Sequence, residues 1–286
     1  MINSNFKIKK FTKPFPFIIF ENFFDKYFFY ELEKNFPSVD NLKKANGKVG
    51  RFDYDISYQS DLYKNLIQNS AYKKLHNYIH SKSFINFFIS FFKEDLLNEF
   101  KKKNLAINIK KIKKVDFPVE GIKSTNIYNL YENNEKFLYP RLDFGTGLKN
   151  YGKVTGGGGI HIDNPQRLIS ILIYFGGYKT IKGGEHRIWK NNNNDFSLFK
   201  SIPPKKNTVI ASVQTNSAFH DVNPIQEING QRNIAYSSIS CNSPIWEELQ
   251  KSDFNKKYRR NRIKKNFFEK CFDYFYNVFR KLKYKF

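Results

Sequence analysis

From about Lys110 the apolar residues of this chain stop returning every third or fourth position and gather instead into short runs punctuated by glycine and asparagine. The runs are "STNIYNLY", "RLISILIYF", "EHRIWK", "NTVIASV", "AFHDV" and "RNIAYSSIS", with "KNNNND" (Lys190 to Asp195) reading as a loop. A parallel sheet needs a crossover of a dozen or more residues between strands, normally a helix. No helical pattern separates these runs, so a doubly wound fold is excluded and a sandwich or jelly-roll barrel is predicted.

The flanks read differently. From about Pro14 to Phe100 the periodicity is helical: "NFFDKYFFYELEKNF" carries Phe24, Phe28, Leu32 and Phe36 along one face, and "SFINFFISFF" suggests a second helix. Beyond Pro244 the chain is again helical and basic, with Phe268, Phe272, Phe275, Phe279 and Leu282 in one stripe. The expected architecture is α+β. Residues 1–110 form a helical support region, 111–243 the β core of the same domain, and 244–286 a basic amphipathic tail.

With 286 residues the chain can bury a core without disulfides. Cys241 and Cys271 show neither metal-knuckle nor disulfide spacing, which fits a reducing, cytoplasmic setting. No secretory signal is visible, and "SFINFFISFF" is well short of the roughly 18 residues that span a bilayer. The expectation is a cytoplasmic protein, at most peripheral to a membrane.

The net charge of +23 invites a nucleic-acid reading, but only nine of the 49 basic residues are arginine. The stretch from Lys251 to Phe286, with 13 basic and three acidic residues, supplies +10 of that charge. A solvated lysine surface is therefore preferred to a nucleic-acid site. The basic tail can lie on an anionic membrane or pack its stripe on the domain, and packing is preferred.

The chemistry concentrates at "GGGGIHIDNP", residues 156–165. The glycines lack the Gly-Lys-Ser/Thr of a P-loop and the helix-opening spacing of a dinucleotide fingerprint, so a phosphate cradle is excluded. On a strand, residues i and i+2 share a face, which sets His161 beside Asp163. Of the five histidines, His220 lies in the strand-like "AFHDV". Two histidines and a carboxylate make the facial triad of non-haem Fe(II) oxygenases. Arg232, twelve residues after His220, could pair bidentately with the far carboxylate of an iron-chelating 2-oxo diacid. His76 and His80, one helical turn apart without an acidic third partner, read as structural. His186, after Gly-Gly-Glu, reads as a pocket-lining residue rather than a ligand, and Asn164 and Arg167 as candidates to meet a polar substrate.

The ordered set "HID", "RLISILIYF", "GGEHRIW", "FHDVNPI" and "GQRNIAYS", with the lead-in "KPFPFIIFENFF", resembles the Fe(II)/2-oxoglutarate-dependent oxygenase superfamily, nearest to its prolyl-hydroxylase-like branch. The resemblance runs from about Pro14 to Cys241. It implies a double-stranded β-helix core, with His161, Asp163 and His220 as iron ligands and Arg232 on the distal carboxylate of 2-oxoglutarate. Tyr174 would offer its hydroxyl to the same co-substrate. It further implies Fe(II), 2-oxoglutarate and O₂ as requirements, release of succinate and CO₂, and hydroxylation of a C–H bond. The substrate, whether small molecule, glycan or peptide, is left open. Two departures stand out: Ile234 occupies the place where many relatives carry a serine after the basic residue, and the stretch from His220 to Arg232 is slightly long. The carboxylate of Asp163 speaks against halogenation. A non-enzymatic jelly-roll binding module for nucleic acid or a membrane surface is the competing class, and a cupin-type enzyme without 2-oxoglutarate is opposed by Arg232.

Overall fold

The computed structural model describes residues 1–44, 54–58, 60–102, 113–114, 136–149, 159–164, 166–192, 195–242 and 245. The tail from 246 onward, including the phenylalanine stripe and Cys271, lies outside the described residues, as do "STNIYNLY" and three of the four glycines, 156–158.

Strands β1 (Lys7–Phe11) and β2 (Phe17–Glu21) open the chain. Helices α1 (Lys26–Lys34) and α2 (Val39–Lys44), strand β3 (Tyr54–Ile56) and helices α3 (Asp61–Leu66), α4 (Ser70–Ile79) and α5 (Lys82–Lys102) follow. The remainder is β: β4 (Lys113–Lys114), β5 (Phe137–Gly147), β6 (Arg167–Lys182), β7 (His186–Asn192), β8 (Asp195–Ile202), β9 (Thr208–Val213), β10 (His220–Val222) and β11 (Glu227–Cys241). Each of α1, α3 and α4 starts on a side chain that caps a free backbone N–H, namely Asp25, Ser60 and Asn69.

Two sheets result. The larger runs β1-β2-β9-β6-β11-β5-β3 with β4 beside β5, and the smaller is β10-β7-β8. All pairings are antiparallel except the short β4–β5 contact. This is the jelly-roll-like α+β arrangement that the helix-free β runs predict.

Strand alternation splits the interior into two cores. On β6, Ile169, Ile171, Ile173 and Phe175 face the helices, joining Phe20, Phe88, Phe92 and Leu75 in the larger core. Tyr174 of β6, Ile188 of β7, Ile210 of β9 and Ile234 and Tyr236 of β11 face the other way, into a smaller core between the sheets. The helices thus back one face of the large sheet and leave the space between the sheets for the site. On β1, the outer edge of the large sheet, Lys7, Lys9 and Lys10 are exposed, charge that discourages further strand pairing.

Three readings need correction. Residues 7–11, 17–21 and 54–56, in a region read as helical, are strands of the large sheet. "FIIF" of β2 is buried on both faces between β1 and β9, so it has no period to read. "KNNNND" is not one loop: β7 continues to Asn192, β8 begins at Asp195, and those two residues pair. The α1 helix is shorter than its pattern, leaving Phe24 before it and Phe36 after it, both still buried.

Candidate metal centre

Residues 159–164 tie the two sheets together. The N–H of His161 donates to the carbonyl of His220 at 3.0 Å, and the N–H of His220 donates back to the carbonyl of His161 at 2.9 Å. This reciprocal antiparallel bridge sets the two imidazoles side by side, ring centroids 4.6 Å apart. Two residues on, the Asp163 side chain reaches the large sheet. Its Oδ2 accepts from the Ser170 hydroxyl of β6 at 2.5 Å and from the Tyr236 hydroxyl of β11 at 3.0 Å. Its Oδ1 accepts from the Arg167 guanidinium, which lies 4.8 Å over the Tyr236 ring. One potential ligand atom from each of His161, Asp163 and His220 falls within 4.8 Å of the others.

Backbone carbonyls fix the tautomers. His161 Nδ1 is 2.7 Å from the Gly159 carbonyl, and His220 Nδ1 is 2.9 Å from the Ala218 carbonyl. A carbonyl oxygen only accepts, so each Nδ1 carries a proton, and the neutral form of each ring presents its lone pair at Nε2. The His220 Nε2 is 3.8 Å from Asp163 Oδ2. Two neutral imidazoles and one carboxylate, each oriented by its own hydrogen bonds, suit a first-row divalent ion with open coordination positions.

Arg232 and Tyr174 occupy neighbouring strands. On β11 the side chains of Arg232, Ile234 and Tyr236 share the inter-sheet face, and Tyr174 of β6 stands in register with Ile234. The guanidinium is 1% exposed, its Nη2 donates to the Tyr174 hydroxyl at 3.4 Å, and its centre lies 5.1 Å from the Tyr174 ring. Burial raises the Tyr174 pKa, with Arg232 partly opposing, so the phenol stays protonated near neutral pH. Tyr174 lies in the middle of β6, which runs on to Lys182.

Tyr63 Oη is 2.9 Å from His76 Nδ1, and His80 donates from Nδ1 to the His76 carbonyl at 3.0 Å. Among the described residues the triad alone groups three potential metal-binding side chains. His186 is buried with its ring centroid 5.4 Å from that of His220 and is not one of the three grouped residues. Asn164 serves a turn: its carbonyl accepts from the Arg167 N–H and its Oδ1 from the Gln166 N–H. Arg167 is committed to Asp163.

Ser170 and Tyr236 were missed by sequence reasoning. A serine amid the apolar "RLISILIYF" was the available signal, since a hydroxyl on a buried strand needs a partner. In "AFHDV" alternation sends His220 inward and Asp221 to the other face. There Asp221 accepts from Arg187 Nε at 2.7 Å, from its Nη2 at 2.5 Å and from Trp189 Nε1 at 2.9 Å.

No protein-family model matches the chain, and no curated protein matches it. Solved structures do. The structures it is similar to include prolyl hydroxylases. A prolyl 4-hydroxylase from Phytophthora capsici is 14% identical with a TM-score of 0.43, the match covering 78% of this chain and 58% of that one. The viral collagen prolyl hydroxylase of Paramecium Bursaria Chlorella virus-1, solved as a 2OG complex, is 13% identical with a TM-score of 0.35, over 78% of this chain and 94% of that one. A prolyl hydroxylase from Trichoplax adhaerens, in complex with a hypoxia inducible factor peptide fragment, is 13% identical with a TM-score of 0.36, over 78% and 83%. The chain thus spans less than two thirds of the Phytophthora protein's length.

Proposed function

We propose that the protein is an Fe(II)- and 2-oxoglutarate-dependent oxygenase that hydroxylates a C–H bond, releasing succinate and CO₂. One observation carries this reading: two tautomer-fixed imidazoles and a carboxylate converge on one point, with a buried arginine on the same inter-sheet face. His161, Asp163 and His220 would hold the ion. Arg232 would pair with the distal carboxylate of the co-substrate, and Tyr174, already hydrogen-bonded to Arg232, would donate to it. The bound iron would supply activation of O₂ coupled to oxidation of the 2-oxo acid.

The protein's own residues contribute orientation. Ser170 and Tyr236 hold the carboxylate oxygen that faces His220, and the Gly159 and Ala218 carbonyls keep both Nε2 lone pairs available. Ile188, Ile210, Ile234 and Ala218 form a buried apolar cluster between the sheets. The Asp163 carboxylate would take the ligand place that a halide would need, which speaks for hydroxylation.

The test is spectroscopic. Fe(II) and 2-oxoglutarate added anaerobically to the full chain should give a weak visible charge-transfer band that His161→Ala abolishes. Folded, iron-loaded protein without the band would refute the reading. Succinate formation against panels of peptides, glycans and small metabolites would then define the substrate.

A further inference from the structure

His186 stands apart from the other histidines of the chain. His161, His220, His76 and His80 each engage Nδ1 with a backbone carbonyl or a tyrosine hydroxyl. Among the described residues neither ring nitrogen of His186 makes a hydrogen bond, although the residue is only 7% exposed. Neither nitrogen is wholly enclosed, so the unpaired ring opens onto space that a bound molecule can reach.

Its location says which. Strands β7 and β10 pair with His220 opposite Ile188 and Val222 opposite His186, so positions 186 and 188 share the face on which His220 points inward. The ring lies 5.4 Å from that of His220 at an interplanar angle of 39°. Two residues earlier, a side chain added at Gly184 would meet Cδ of Arg232 at 3.3 Å, so the turn leading into β7 runs along the arginine's stem. His186 therefore adjoins the triad on one side and Arg232 on the other. An imidazole offers an N–H donor that an anionic oxygen can accept from.

Resting on the oxygenase reading above, we propose that His186 is a co-substrate-binding residue, its imidazole donating a hydrogen bond to a carboxylate oxygen of the 2-oxo acid held between the triad and Arg232. It is not a fourth metal ligand, and it does not act through His220.

Two titrations on the full chain test this: Co(II) binding, followed by thermal stabilisation, and 2-oxoglutarate binding to the anaerobic Fe(II) protein, followed by the charge-transfer band. His186→Leu should weaken 2-oxoglutarate binding about tenfold to a hundredfold, the loss of one hydrogen bond to a charged group, and leave Co(II) affinity unchanged. His186→Gln, which keeps a donor, should recover most of the loss and guards against a folding defect in the leucine variant. Unchanged 2-oxoglutarate binding in folded His186→Leu overturns the proposal. So does a parallel loss of Co(II) affinity, which would make His186 a ligand or a support for His220. Wild-type protein that binds Co(II) but gives no 2-oxoglutarate complex overturns the oxygenase reading and this proposal with it, a result seen before any variant is measured.

Discussion

Removing the two hydroxyls that hold Asp163 should loosen the metal centre without touching a ligand. Ser170 and Tyr236 both donate to Oδ2, the carboxylate oxygen 3.8 Å from His220 Nε2. Outer partners of this kind are each worth about tenfold to a hundredfold in metal affinity. At an ion concentration of about 100 times the wild-type Kd, binding stabilises the fold by about 2.7 kcal/mol. If Tyr236→Phe weakens binding about tenfold, the stabilisation falls to about 1.4 kcal/mol. If Ser170→Ala with Tyr236→Phe weakens it about a hundredfold, about 0.4 kcal/mol remains. With Tm moving by roughly 3 °C per kcal/mol in a domain of this size, the Co(II)-induced shifts should be about 8, 4 and 1 °C. Scanning calorimetry with and without Co(II) measures each shift against the same variant's metal-free baseline, so any intrinsic destabilisation cancels. A wild-type shift in the double variant would refute the claim that these hydroxyls orient the ligand.

His161→Ala should abolish the Co(II)-induced shift in Tm altogether while the metal-free Tm stays within a few degrees of wild type. Arg187→Ala should cost about 3–5 kcal/mol in urea unfolding, because it strands the buried carboxylate of Asp221, and it should also shift Trp189 emission, since that indole shares the same carboxylate. Gly183→Ala should cost at least about 1–3 kcal/mol, because the residue sits at φ +87° and an added Cβ would lie 2.1 Å from the Pro224 carbonyl oxygen. Acid should destabilise the fold through His80, whose pKa burial lowers to about 3 from an ordinary 6.5. The unfolded chain binds the extra proton, so stability falls as pH drops from about 6.5 toward 3, and His80→Gln should flatten the urea midpoint over that interval.

The β core was legible where strands alternate or carry a polar residue with a purpose, as at "RNIAYSSIS" and "AFHDV", and the triad followed from the i, i+2 geometry of "HID" together with a second histidine on such a run. Strand β2 was not, because "FIIF" is buried on both faces and runs of that length suit helix or strand equally. Strand β5 was hidden by Pro140, Gly145 and Gly147, which punctuate a segment that nonetheless pairs with β11 along ten residues. Ser170 and Tyr236 lie 66 positions apart, so their meeting at one carboxylate depends on the β6–β11 register, which no local pattern encodes. That His186 makes no hydrogen bond among the described residues is likewise a property of what surrounds it, invisible in "GGEHRIW".

The reciprocal backbone bonds between His161 and His220 join points 59 residues apart, and β6, β7, β8 and β9 all lie in the intervening chain. An ion gripped by both imidazoles would act as a removable clasp on that long loop, since opening the loop would first require the ion to leave. Amide exchange should therefore slow on metal addition across the whole span from 161 to 220, far beyond the few groups in contact with the ion, and chelation should release it again.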